Sequence, residues 1–239
     1  MRISGWWRRL CLLIAATLLT TGCTFLAVID DTDPETRVLF IGNSYTFYNL
    51  GVDQILHGLA PRTTVGLEAV GGATLKDHLG SLQTMDKVRQ GDWTYVVIQE
   101  QSQVPVIAHG QYVSNLRKLV AAVRQGGAVP LLLMTWARPD DPRISTTSMS
   151  AAVRSAGKDV KAAVIPAGVA FGASLASHNG IVLTQPDGHP TPEGTYLAGC
   201  VVYAAIFGKS PEGNTFLGGV DAGFAPVLQA TAEKAVRVS

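Results

Sequence analysis

The sequence predicts an α/β fold: a three-layer α/β/α sandwich around a mostly parallel sheet of about five strands. Continuous apolar runs of strand length recur along the chain, and stretches with helical apolar spacing alternate with them. The composition agrees, since 47% of the 239 residues are apolar and only 15% charged, which is enough to bury one sizeable core. The run Arg37-Val38-Leu39-Phe40-Ile41, closed by Gly42-Asn43, lacks polar alternation and reads as a strand buried on both faces. Leu50, Val52, Ile55, Leu56 and Leu59 follow at helical spacing, so 50–59 is predicted as a helix. A second strand is expected over 64–70, with a helix over 75–88, and a third strand over 95–98. Tyr112, Val113, Leu116, Leu119, Val120 and Val123 form one stripe, giving a helix over 112–123. The fourth strand is predicted over 129–134, a helix over 148–164, and a less clean fifth run over 162–167. Helices over 193–207 and 225–236 close the chain.

Parallel strands joined by helices place ligands beyond the carboxyl ends of the strands, where the strand order switches. The charge balance, 19 basic against 18 acidic side chains, excludes a basic nucleic-acid binder, and the apolar content excludes disorder. The first 22 residues read as an export signal. Arg2, Arg8 and Arg9 precede the apolar run 10–19, which is too short for a stable bilayer span, and a small-residue exit follows at Thr21-Gly22-Cys23. Leu19-Thr20-Thr21-Gly22-Cys23 resembles a bacterial lipobox, with Thr20 departing from the preferred leucine. The expected organisation is a lipoprotein-type signal peptide over 1–22, a tether over 23–36 with Asp30, Asp31, Asp33 and Glu35, and one domain over 37–239. The protein is thus expected to be exported to the cell envelope and held to a membrane by lipid on Cys23, with plain cleavage or an uncleaved anchor as the second reading. Without the signal, 16 basic side chains face 18 acidic ones, so no electrostatic partner is implied. Cys11 leaves with the signal and Cys200 sits alone in the apolar run 196–203, where it reads as a buried thiol without a disulfide.

Two segments could carry chemistry together. Gly42-Asn43-Ser44-Tyr45-Thr46 puts a serine at a strand-to-helix turn, where it can act as a nucleophile or merely cap the helix. Thr184-Gln185-Pro186-Asp187-Gly188-His189-Pro190 places a carboxylate two residues before an imidazole in a tight turn. A serine hydroxyl is a poor nucleophile at neutral pH and needs a base, which itself gains from a carboxylate on its other ring nitrogen. No His-x-x-x-His or Cys-x-x-Cys spacing suggests a metal, and no Walker loop, Gly-x-Gly-x-x-Gly or Gly-x-Ser-x-Gly occurs. His57 and His78 lie in helical stretches, His109 and His178 in loop-like ones, and structural or surface roles are expected for all four. Trp136 is expected in the core or stacked on a sugar or acyl group. The loop 137–143 reads equally as a solvated turn or a substrate contact, and Glu100 as a site residue or a group bound to its own loop.

The order of these segments resembles the SGNH hydrolases, also called GDSL-type esterases. Phe40-Ile41-Gly42-Asn43-Ser44-Tyr45-Thr46 is similar to their first block, with Gly-Asn-Ser in place of Gly-Asp-Ser, and Asp187-Gly188-His189 to the last. Val70-Gly71-Gly72-Ala73-Thr74-Leu75 resembles the second block. The third departs, reading Ile98-Gln99-Glu100-Gln101-Ser102 where Gly-x-Asn-Asp is usual, and it is similar to glutamine-containing blocks of carbohydrate esterases. The resemblance implies a flavodoxin-like α/β/α fold and ester hydrolysis by a Ser44, His189, Asp187 triad. It implies an oxyanion hole of the Ser44 and Gly72 N–H groups with Gln101 or Gln99, and no metal or cofactor. The substrate implied is a small-molecule or glycan ester, with O-acyl or O-acetyl carbohydrate favoured and nucleic acid excluded. The alternative is a non-catalytic envelope lipoprotein that uses the fold as a glycan-binding module; a nucleotide binder finds no phosphate cradle in the first loop. Oligomeric state has no signature in the sequence.

Overall fold

A computed structural model describes residues 35–177 and 180–238. The expected signal peptide, most of the expected tether, Cys11, Cys23 and His178 lie outside the described residues. The chain opens with β1 (Arg37–Gly42), the one-turn helix α1 (Ser44–Phe47), α2 (Val52–Leu59) and β2 (Thr64–Ala69). There follow α3 (Leu75–Gly80), α4 (Leu82–Gln90), β3 (Tyr95–Ile98), α5 (Val104–Ile107), α6 (His109–Gln125) and β4 (Val129–Leu133). Last come α7 (Thr146–Val160), β5 (Ala163–Ile165), α8 (Ala167–Ala176), α9 (Pro192–Phe207) and α10 (Ala225–Arg237).

Among the described residues the five strands pair only in parallel, in the order β2-β1-β3-β4-β5, so the sheet is wholly rather than mostly parallel. Each crossover carries helix, which is what a parallel connection requires. Alternation along the strands then sorts the two cores. Val38, Phe40, Val97, Leu131 and Leu133 pack against residues of α2, α8, α9 and α10. Leu39, Ile41, Val96, Ile98 and Leu132 pack against α3, α4, α6 and α7. Both faces are thereby covered, which explains why the strands read as unbroken apolar runs. After β2 the chain crosses β1 to add β3 on its other side, so the order switches at β1, and the crevice lies at the carboxyl ends of β1 and β3.

Besides the one-turn helices α1 and α5, which the sequence does not predict, three larger elements differ from the sequence expectation. The helix expected over 75–88 is two: Ser81 is extended, ends α3, and its hydroxyl accepts the Thr84 N–H to cap α4. The helix expected over 148–164 stops at Val160, because Lys161 takes a left-handed φ of 54° and the Ala162 N–H returns to the Gly157 carbonyl. Residues 163–165 then pair with β4 instead of continuing the helix. Helix α8 has no counterpart in the periodicity. Its residues are mostly small and apolar on every side, and Ala167, Gly168, Ala170, Phe171 and Ser174 are buried. Cys200 is a free, buried thiol in α9, and no helix among the described residues is long and apolar enough to cross a membrane.

Candidate active site

β1 ends at Gly42, and Asn43 caps the helix that follows. The Asn43 side-chain oxygen accepts the Tyr45 N–H at 3.1 Å, while its amide donates to the Ala73 carbonyl at 3.0 Å. Ser44 is therefore the first residue of α1, at the carboxyl end of β1, and a backbone N–H in that position has no intrahelical acceptor. Gly42 is required beneath it: a Cβ there would lie 2.4 Å from Thr46 Oγ1 and 2.5 Å from Gln99 Oε1.

The second segment lies between α8 and α9. Thr184 and Pro190 form an antiparallel bridge, and Gln185 N–H donates to the His189 carbonyl at 2.7 Å. Gly188 has φ 85°, and a Cβ on it would meet the Tyr45 hydroxyl at 2.4 Å, so both the turn and its packing need glycine. The Gly188 carbonyl accepts the indole N–H of Trp136 at 3.0 Å. Trp136 is buried, stacked against Tyr45 (5.2 Å) and Phe171 (4.0 Å). From the other side, the Asn49 amide donates to the Pro190 carbonyl at 3.1 Å and to Thr195 Oγ1 at 2.8 Å.

These supports bring the three expected residues together. His189 Nδ1 lies 2.8 Å from Asp187 Oδ2, and His189 Nε2 lies 2.9 Å from Ser44 Oγ. An ionised carboxylate can only accept, so Nδ1 carries the proton and Nε2 offers its lone pair to the serine hydroxyl. The His189 ring and then the His189 backbone N–H, which reaches Asp187 Oδ1 at 3.1 Å, hold the Asp187 carboxyl below the usual range. The imidazole also packs against Tyr48 (4.7 Å) and Tyr45 (5.3 Å). A hydroxyl beside an oriented, neutral imidazole can lose its proton as it attacks an electrophilic carbon.

The expected oxyanion residues fare differently. Gly72, with φ 71°, is the third residue of an exposed turn closed by Ala73 N–H to the Val70 carbonyl at 3.0 Å. Gln101 Oε1 accepts the N–H groups of Gln103 at 2.8 Å and Val104 at 3.2 Å, which fixes its amide at the start of α5. Gln99 is engaged elsewhere. It is buried, its Oε1 accepts from Asn43 N–H (2.9 Å) and Thr46 Oγ1 (2.9 Å), and its Nε2 donates to the Glu100 carbonyl. Both ends of the Gln99 amide are thus committed inside the protein, whereas the Gln101 side chain is bonded through its oxygen.

Sequence reasoning missed the braces. Arg138, in the loop after β4, donates through Nη1 to the Tyr45 hydroxyl (3.1 Å) and to Ser102 Oγ (2.9 Å), while Nε and Nη2 grip Asp140. This loop thus ties the first and third blocks, which only the three-dimensional arrangement reveals. His78 is buried behind the nucleophile turn, its Nε2 2.7 Å from the Gly42 carbonyl. His57 Nδ1 meets the Thr63 carbonyl at 2.9 Å, and His109 opens α6 rather than lying in a loop. Among the described residues, no group of three or more His, Cys, Asp or Glu side chains is placed to hold a metal.

No family model matches the chain, and no curated protein matches it. Solved structures do. One is a protein described as an SGNH hydrolase, from Slackia heliotrinireducens, 27% identical over 71% of this chain and 97% of its own, with a TM-score of 0.63. A DUF4886 family protein from Bacteroides uniformis is 20% identical over 85% of this chain and 95% of its own, with a TM-score of 0.72. A variant of an acetyl-xylooligosaccharide esterase from Geobacillus is 17% identical over 70% of this chain and 90% of its own, with a TM-score of 0.52.

Proposed function

We propose, from the premise that this chain is an SGNH-type hydrolase, that it is an exported serine esterase acting on O-acyl or O-acetyl groups of carbohydrate through Ser44, His189 and Asp187. The observation that carries the reading is the continuous pair of hydrogen bonds from Asp187 through His189 to Ser44. In the first half-reaction Ser44 Oγ attacks the ester carbonyl carbon as its proton passes to His189 Nε2. Asp187 holds the ring and stabilises the imidazolium that forms. The N–H groups of Ser44 and Gly72 and the Gln101 amide receive the developing oxyanion, each such donor being worth roughly 3 kcal/mol in the transition state. Collapse expels the alcohol, which takes the proton from His189, and leaves an acyl group on Ser44. Water, deprotonated by the same imidazole, then releases the acid and restores the serine.

The carbohydrate substrate is supported by the glutamine-containing third block and by the acetyl-xylooligosaccharide esterase among the structural neighbours. A fluorophosphonate probe is expected to label the wild-type protein and not Ser44→Ala, and the same substitution is expected to abolish acetate release from acetylated xylo-oligosaccharides. Equal labelling of both proteins would remove Ser44 from the chemistry. Export rests on the basic, apolar and small-residue order of the first 22 residues, and the anchor on Cys23. Metabolic labelling with a fatty-acid analogue should mark the wild-type chain and not Cys23→Ala; label retained by the variant would refute the anchor.

A further inference from the structure

We infer that Glu100 is the positioning residue that holds the two oxyanion loops in register. It is the second residue beyond β3, is 4% exposed, and its Oε1 accepts two backbone N–H groups, Leu75 at 3.0 Å and Gln101 at 2.8 Å. Leu75 opens α3, three residues beyond Gly72, while Gln101 carries the candidate amide donor. One oxygen atom therefore bridges the loop after β2 to the loop after β3.

Helix capping accounts for only half of it: Thr74 and Asp77 form a capping box that satisfies their own N–H groups, and Glu100 takes the remaining Leu75 N–H while also holding the Gln101 N–H of the next loop. The arrangement is also costly: Glu100 Oε2 is buried with no hydrogen-bond partner among the described residues. Burial raises the Glu100 carboxyl above the ordinary range, against the pull of the two N–H groups that favour its ionised form. Its neighbours complete a hub. Gln99 fastens the strand end to Asn43 and Thr46 beside Ser44, and Gln101 is gripped at its own N–H by Glu100 and at its side-chain oxygen by Gln103 and Val104. Three consecutive residues thus link the nucleophile turn, the Gly72 turn and the Gln101 amide, and Glu100 spans the last two.

This inference rests on the esterase reading, in which Gly72 and Gln101 meet the oxyanion. Its test is a series at position 100, assayed on p-nitrophenyl acetate with Ser44→Ala alongside and each melt followed by circular dichroism. Glu100→Gln retains an acceptor oxygen at full reach, so its kcat should stay within about threefold of wild type, because the donors remain in place. Glu100→Asp keeps the charge one methylene short, and Glu100→Leu removes the acceptor. Both should lose about 10- to 100-fold in kcat, as misplaced donors do, with KM nearly unchanged. Where Glu100→Leu does not fold, the order of Gln above Asp decides the matter. An aspartate variant as active as the glutamine variant, or wild-type kcat throughout with Ser44→Ala inactive, overturns the clasp alone; wild-type turnover by Ser44→Ala overturns the esterase reading beneath it.

Discussion

Asp187 and His189 stand two residues apart, with Gly188 between them pinned by the Trp136 indole, so the orienting carboxylate and the base arrive on one turn. In the proposed mechanism the carboxylate fixes which ring nitrogen carries the proton, and Asp187 itself is exposed at the surface. Asp187→Asn is expected to lower kcat about a thousand- to ten-thousand-fold by favouring the wrong tautomer. A loss below tenfold in ester turnover would take that role from Asp187. These residues were legible in the sequence because each sits in a local frame with chemical meaning: a serine after a buried strand, and an acid and an imidazole in one turn. Gln99 and Gln101 were not separable, since which glutamine turns inward depends on how the chain leaves β3. Arg138, Asn49 and Trp136 act on residues far along the chain, and no local pattern announces such partners.

The central strands were the most legible elements, because burial on both faces leaves few polar positions to blur the runs, while the edge strands β2 and β5 are only partly buried. The helices tell a different story. Where one face meets the sheet and the other meets water, as in α2 and α6, the stripe predicted the element, though not its ends. Helix α8 and the boundary at Lys161 escaped because one is apolar on all sides and the other uses a left-handed lysine where glycine is usual. Helix α9 shows what close packing demands: a Cβ on Gly199 would lie 2.2 Å from Ile55 Cγ2 and 2.5 Å from Ile55 Cβ, at the crossing with α2. Ile55 is itself buried and has little room to yield. Gly199→Leu should destabilise the fold by about 3 kcal/mol or more through overpacking, read as a lower urea midpoint at unchanged slope. An unchanged midpoint would show that the two helices can separate freely.

Across the whole molecule, acid and alkali act on different carboxylates. Asp187 is depressed, so its contribution is present above the ordinary aspartate value and is lost as pH falls through the lower folded value. Asp53, in the first turn of α2, is the reverse case. Burial raises it, its Oδ1 has no partner among the described residues, and Gln54 serves only Oδ2. Its contribution is fully present below the unfolded aspartate value and is lost as pH rises through the raised folded value. Asp53→Asn should therefore raise the melting temperature relative to wild type more at pH 8 than at pH 4. An equal difference at both pH values would show that Asp53 does not titrate differently on folding.

The hydrogen bond between Ser44 and His189 joins positions 145 residues apart, and a chain is synthesised in one direction. The serine and every loop proposed to cradle the oxyanion emerge well before the base does. A nascent or clipped chain that ends short of residue 189 would carry a complete but silent nucleophile. On this reading the enzyme stays inert during synthesis and passage, and acquires its reactivity only when the last turn docks.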